Sequence, residues 1–295
     1  NNKVMFKFLL YIVISSFLLS NDNSIYSLMS SPRNASLGGM HMSTNNISSI
    51  FDAPSFLEGS KQNIFLSIHN YSELYNVFHL SFCIYANSSS NLSIGLVRRD
   101  IGDNFNTTLA FHNDGYPNLE DINYENIYKF SDQETGLFFS FNKIIERDFI
   151  MGINFKPVFH RIDNIYGLGS SFDIRYLLKM SHGSVSFGVE NIFAFKKWDT
   201  NYIEKFDLNG YLAFSYNFNQ SIIFYEYNMI NKSKIGFEIK LIENLFFRSG
   251  INKYSTSFGF GLSLKNIILD YTYINNKSDI FGSNHSVGFN INLNH

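Results

Sequence analysis

From Asn63 onward, bulky apolar side chains fall on alternate positions in short runs divided by polar turns. In SFGFGLSL, Phe258, Phe260, Leu262 and Leu264 hold one phase, and Ser257, Gly259, Gly261 and Ser263 the other. In SVGFNINL, Val287, Phe289, Ile291 and Leu293 alternate with Ser286, Gly288, Asn290 and Asn292. YLAFSYNF repeats the scheme with Leu212, Phe214, Tyr216 and Phe218. A period of two is the mark of a strand, whose successive side chains point to opposite faces. Each run therefore predicts a strand with one greasy face and one small, polar face.

The pattern predicts strands near 63–70, 75–86, 91–100, 134–143, 149–162, 166–179, 184–194, 207–218, 221–230, 233–243, 245–254, 257–265, 267–276 and 280–293. An even number returns the chain to the side where it began. The two longest connections, 101–133 and 195–206, then share one end, and the tight ones at 87–91, 219–220 and 266 share the other. A soluble β-sandwich also alternates. Here the apolar phase is almost free of charge across many runs, the opposite phase carries charges, and the connections are unequal. Together these predict an all-β transmembrane antiparallel barrel of about 14 strands over 63–295, in the outer membrane of a Gram-negative-type bacterium, with membrane lipid around it.

The residues before 63 follow other rules. Lys3 and Lys7 precede an apolar stretch at 8–19 and small polar residues at 20–27, the order of a cleaved signal peptide over 1–27. About a dozen apolar residues are too few to span a hydrocarbon core of ~30 Å as a helix. Residues 28–62 are too irregular for a spanning strand. They are expected to form short helices that plug the barrel or line its periplasmic mouth, with Arg33, Gly38, Gly39, Asp52 and Pro54 as plug or gate candidates.

Composition narrows the chemistry. The chain has 295 residues, 32 Phe, 18 Tyr and a net charge of −2, with no basic footprint for nucleic acid. Cys83 is the one cysteine, which excludes an internal disulfide and a Cys-based zinc cluster. It sits mid-strand with nothing to activate it. His160, His182 and His285 lack metal-ligand spacing, so neither metal nor cofactor is expected. No Lys-Ser/Thr follows Gly38-Gly39, which sets aside a phosphate loop.

Lys156, Asp173, Arg175, Lys179, Glu190, Glu226, Glu238, Lys240, Arg248 and Asp270 fall in the phase opposite the apolar one. They are expected to form a lumenal polar network, with a ligand or ion pathway as the sharper alternative. Asp100 and the connection at 101–133, with Asp103, Asp114, Glu120, Asp121 and Glu125 amid aromatics, read as a solvated outer loop, a surface that binds a partner or a divalent cation being the alternative. Trp198 suits an interfacial aromatic girdle.

Several motifs recur in order: Arg33-Asn34-Ala35-Ser36-Leu37-Gly38-Gly39-Met40, then SSIFDAPSFL at 48–57, Gly167-Leu168-Gly169, Phe172-Asp173-Ile174-Arg175-Tyr176 and Gly188-Val189-Glu190-Asn191. They continue with Gly236-Phe237-Glu238, Arg248-Ser249-Gly250, Gly259-Phe260-Gly261, Asp270-Tyr271 and His285. This series resembles the PorV/PorQ family of outer-membrane barrels, relatives of FadL-type transporters of hydrophobic compounds. The second motif departs from the family's Asn-Pro-Ala-Gly-Leu-like form, reading Asp52-Ala53-Pro54-Ser55-Phe56-Leu57. The resemblance implies a 14-stranded barrel with an N-terminal plug. It also implies a non-enzymatic scaffold or shuttle serving type IX-like secretion, with secretion-machinery proteins or exported cargo as partners. A FadL-like conduit for small hydrophobic ligands is the alternative, followed by a barrel lipid hydrolase and a soluble sandwich adhesin.

Overall fold

The structure, a computed structural model, describes residues 25–26, 28, 31–42, 47–57, 63–72, 74–110, 122–230, 232–277 and 282–293. The signal peptide expected at 1–27 lies outside these residues except for Ile25 and Tyr26, as do Asp114, Glu120 and Asp121 of the long connection.

The strands are β1 (Asn63–Tyr71), β2 (Tyr75–Ala86), β3 (Ser90–Asn106), β4 (Tyr128–Glu146) and β5 (Phe149–Ile162). Next come β6 (Ile165–Met180), β7 (Gly183–Trp198), β8 (Ile203–Lys205), β9 (Asn209–Phe218) and β10 (Ser221–Asn228). The last are β11 (Lys232–Ile242), β12 (Leu245–Ile251), β13 (Ser255–Leu264), β14 (Ile267–Asn276) and β15 (Ser283–Asn292). Each pairs antiparallel with its neighbours, β1 pairs with β15, and β7 pairs with both β6 and β9. Fourteen strands thus close a barrel, while the short β8 pairs only with the upper part of β7. Closure leaves no row of unpaired backbone groups facing hydrocarbon. No helix among the described residues is long and apolar enough to cross a membrane.

β3, β4 and β7 run past their expected ends at 100, 134 and 194. Beyond a bulge between Ile101 and Asn104, the β3–β4 hairpin continues as Asn104 opposite Phe130 and Phe105 opposite Lys129. Above the bilayer nothing enforces the apolar alternation, so the ladder persists where the sequence pattern fades.

The greasy phase faces outward. Phe139, Phe155 and Phe172 stack across β4, β5 and β6, with centroids 6.3 and 4.8 Å apart. On β5 the outward row runs from Phe149 to Phe159, about 33 Å along the strand and about 25 Å along the axis at the usual tilt. That is the height of a typical lipid-facing band. The inward phase is less uniform than its small, polar face in the last third predicts. Phe65, Val77, Val97, Phe138 and Val158, on β1 to β5, are buried in an apolar cluster. Charges dominate the wall from β6 round to β14.

The apolar wall has a partner in the chain itself. A short helix, Pro32–Ser36, starts with Pro in its first turn and is capped by Ser31, whose side chain accepts from the Asn34 N–H at 3.0 Å. A second helix, Ser49–Asp52, is followed by a 3-10 turn, Pro54–Phe56. Pro32 lies over Gly288, Ser36 over Gly259, Phe51 over Gly95 and Ser55 over Gly152, all on inward positions of the wall. A methyl at Gly250 would fall on the Leu37–Gly38 backbone, so only glycine permits this approach.

An arginine replacing Phe155, at the middle of the lipid-facing band, is expected to cost about 2–4 kcal/mol of folding free energy. Denaturant titration in lipid vesicles measures it; no change would place Phe155 away from hydrocarbon.

Candidate functional site

The inner segment meets the charged half of the wall through two ionic clusters. In the first, the Arg33 guanidinium spans both oxygens of Glu238 at 3.0 Å each, Nε to Oε2 and Nη2 to Oε1. Arg248 reaches the same carboxylate at 2.5 Å and Asp270 at 2.5 Å. All four residues are buried, so two carboxylates answer two guanidiniums away from solvent. Thr272 donates to the Pro32 carbonyl, and Ser257 donates to that of Ser36 at 2.9 Å.

The second cluster surrounds His41. Its Nδ1 lies 2.8 Å from Glu226, its backbone N–H donates to the same carboxylate at 2.6 Å, and its Nε2 is 3.6 Å from Glu190. Lys234 pairs with Glu226 at 2.9 Å and donates to the Gly39 carbonyl, while Arg175 pairs with Glu190 and covers the Tyr211 ring. Burial holds the His41 imidazole below its ordinary value of 6.5, and Lys234 and Arg175 push the same way against the pull of Glu226. Gly38 and Gly39, at φ 83° and 73°, form the turn that delivers His41.

Two more clusters belong chiefly to the wall. Lys156 pairs with Asp173 at 2.7 Å and donates to Asn191 at 3.2 Å beneath the Tyr26 ring. Asn191 reaches the lumen because two successive bulges offset β7 against β6, with Asn191 and Phe193 at φ 59° and 52°. At the end bearing the long connections, Glu134 is fully buried between Lys196 at 2.7 Å and Arg99 at 3.2 Å. His160 sits 2.7 Å from Asp132 there.

The other half of the segment is apolar. Phe51 meets Phe138 and His79 edge-on, each 5.1 Å between centroids, and lies 6.4 Å from Phe65. Ile47, Ile50 and Leu57 join the same buried cluster with Val77, Val97 and Val158. Where the two halves meet, a cavity of about 170 Å³ is lined by Tyr26, His41, Asp52, Glu190, Lys234 and Tyr254, among others.

No protein-family model matches the chain, and no curated protein matches it. Solved structures do. The toluene transporter TbuX of Ralstonia pickettii superposes with a TM-score of 0.63 at 11% identity, covering 92% of this chain and 100% of that one. The Pseudomonas putida toluene transporter TodX gives 0.63 at 8% identity, with 91% and 98% covered. A FadL homologue from Pseudomonas aeruginosa gives 0.59 at 10%, with 91% and 98% covered. The fold is FadL-like.

Of the residues singled out in the sequence, Glu238, Arg248 and Asp270 meet Arg33, Arg175 and Glu190 meet His41 and Glu226, and Asp173 meets Lys156. Asp52 accepts from Asn34 at 2.8 Å within the segment, and Pro54 packs at Gly152. Lys240 does not join them: it shares the phase of Glu238 but sits exposed at the short-turn end, with no ion pair among the described residues. Trp198 also departs from expectation. Opposite the inward Gly167, its ring lies 4.9 Å from His160 and its N–H donates to Glu204 at 3.3 Å, so it lines the inner lip rather than a lipid girdle. Sequence reasoning missed His41, whose non-periodic segment gives no phase, and Glu134, although its phase on β4 points inward.

Glu238→Gln leaves two buried guanidiniums short of a carboxylate, an expected loss of about 3–5 kcal/mol in docking of the segment. Protease cleavage within 31–57 should rise while the barrel keeps its heat-modifiable gel mobility. A second outcome concerns pH. The docked imidazole binds a proton less readily than a released one, so docking weakens as pH falls through 6.5 toward the docked-state value. Hydrogen exchange at 37–42 between pH 7 and 5 reads this slope, and His41→Asn is expected to flatten it.

Proposed function

We propose that this barrel is an outer-membrane conduit for small hydrophobic compounds, with residues 31–42 and 47–57 as the movable obstruction in its lumen. The observation that carries the reading is the two-sided inner wall. A water-filled pore has a polar interior, and a lumen holding only a salt-bridge network gains nothing from an inward row of Phe65, Val77, Val97, Phe138 and Val158. Such a cluster offers an apolar molecule a surface once Phe51, Ile50 and Ile47 move aside.

The ionic half of the segment then acts as an anchor. Arg33 and His41 hold residues 31–42 to the charged wall, while 47–57 rest on the other wall through apolar contacts that an apolar solute can replace and three hydrogen bonds, donated by Ser81, Asn91 and Asn154 to the carbonyls of Ile47, Leu57 and Ile50. The neighbours in fold are transporters of toluene, which favours the conduit over the secretion-associated scaffold implied by the motif resemblance. No covalent step is required of any residue, in keeping with a non-enzymatic role.

The test uses the apolar dye 1-N-phenylnaphthylamine as probe, in cells lacking other FadL-type barrels. Val97→Asp places a charge on the apolar track and is expected to slow dye entry by about tenfold or more. Val97→Leu should leave entry near the wild-type rate. Dye entry identical in wild type, Val97→Asp and cells without the barrel would overturn the reading.

A further inference from the structure

Outward-facing charges cluster on one side of this barrel. The outward positions of β1, β2 and β13 to β15 carry apolar, hydroxyl and amide side chains together with His285, and no Lys, Arg, Asp or Glu. On β3, β4, β5 and β7 the outward row ends differently, with Arg98, Lys129, Arg161 and Lys197 at the end bearing the long connections, all exposed. The strand register joins them. Arg98 lies opposite Thr135, Thr135 opposite Phe159, Phe159 opposite Leu168 and Leu168 opposite Lys197, one row across five strands. Arg161 stands two residues above Phe159 in the next row, opposite Gln133 and Tyr166.

This row marks a boundary. Below it the outward faces bear Leu96, Leu137, Phe155 and Phe172; at it, cations begin. An Arg or Lys at mid-bilayer costs about 2–4 kcal/mol, falling to about 0–1 at the interface. Arg98 and Lys197 on that row and Arg161 on the next therefore stand at the headgroup level of the outer leaflet, at the upper edge of the 25 Å band, with Lys129 farther up the β3–β4 hairpin opposite Phe105. An open depression of about 290 Å³ lies there, lined by Lys129, Phe130, Ser131, Arg161 and Asp163. The local acids are partly committed: Asp100 faces Arg98 at 3.2 Å, and the Asp163 carboxylate accepts from the Tyr128 hydroxyl at 2.9 Å. Arg161 donates from Nε to the Asp163 carbonyl at 2.9 Å and lies over the Tyr166 ring, which fixes the direction of its guanidinium. Among the described residues, Asp199 also stands here, its carboxylate accepting from the Tyr166 N–H at 3.2 Å, so four cations against three carboxylates leave a net positive charge over an apolar surface.

The geometry points to a binding surface for a phosphorylated glycolipid of the outer leaflet, its phosphates on Arg161, Lys129, Lys197 and Arg98 and its acyl chains along Phe159, Leu168 and Phe195. Guanidinium–phosphate pairs are charge-assisted and suited to this chemistry. The surface lies outside the lumen, so the inference stands apart from the identity of whatever crosses the barrel.

The experiment is native mass spectrometry of the detergent-purified full barrel titrated with bisphosphorylated lipid A. Wild type is expected to hold the lipid about tenfold more tightly than the double variant Lys129→Gln/Arg161→Gln. The control is Lys143, outward at the opposite rim, and Lys143→Gln should bind as wild type does. Lipid A stripped of both phosphates should bind wild type no better than the intact lipid binds the double variant. If the double variant loses its heat-modifiable mobility, the single variants Arg98→Gln and Lys197→Gln replace it, each expected to weaken binding. Equal affinity of wild type and the folded variants, or indifference to the phosphates, overturns the proposal.

Discussion

Hydrocarbon cannot solvate a charge, and that constraint arranges most of this molecule. Fourteen strands close on themselves so that no backbone group is left unpaired in the bilayer. Alternation then sends charges one way and aromatic rings the other. Once inside, the charges need partners, because a buried ion without one is costly. Lys156 with Asp173, Arg248 with Asp270 and Glu134 with Lys196 meet that need within the wall.

Glu238 and Glu226 are shared between the wall and the inner segment. Arg33 and His41 reach them from residues that belong to no strand, so neutralising the lumen and docking the segment become one event. The charges of the opposite wall, Arg99, Glu134 and Lys156, are already paired within the barrel, and there the segment presents Ile47, Ile50 and Phe51 instead. Two kinds of adhesion on one short stretch of chain differ in how they can be released. Paired buried ions yield only at a high cost in free energy, whereas apolar contacts yield to any solute of similar polarity.

The barrel was legible in the sequence because its controlling interaction has period two. Every expected strand from 63–70 to 280–293 overlaps one in the structure. Legibility failed where that control lapses. The upper parts of β3 and β4 stand clear of the bilayer and lose the alternation. In β7, two bulges put Glu190 and Asn191 on the same side, which no strict alternation foresees. The inward Phe65, Val97 and Phe138 were hidden for a simpler reason. Each interrupts an inward face otherwise small, polar or charged, as Phe138 does among Glu134, Gly136, Ser140 and Asn142, so its phase points inward while its bulk suits lipid.

The central claim is that residues 31–42 and 47–57 rest against the inward face of the wall, and one cross-linking experiment tests it together with the phase of the strand it engages. With Cys83 replaced by Ser, the pair Leu37→Cys/Gly236→Cys should form a disulfide under mild oxidation in intact outer membranes, since a Cβ at position 236 would stand 3.1 Å from that of residue 37, a few tenths of an ångström from disulfide spacing. The neighbouring pair Leu37→Cys/Phe237→Cys, one residue along on the lipid face, should not. Cross-linking through position 237 and not 236 would contradict the account.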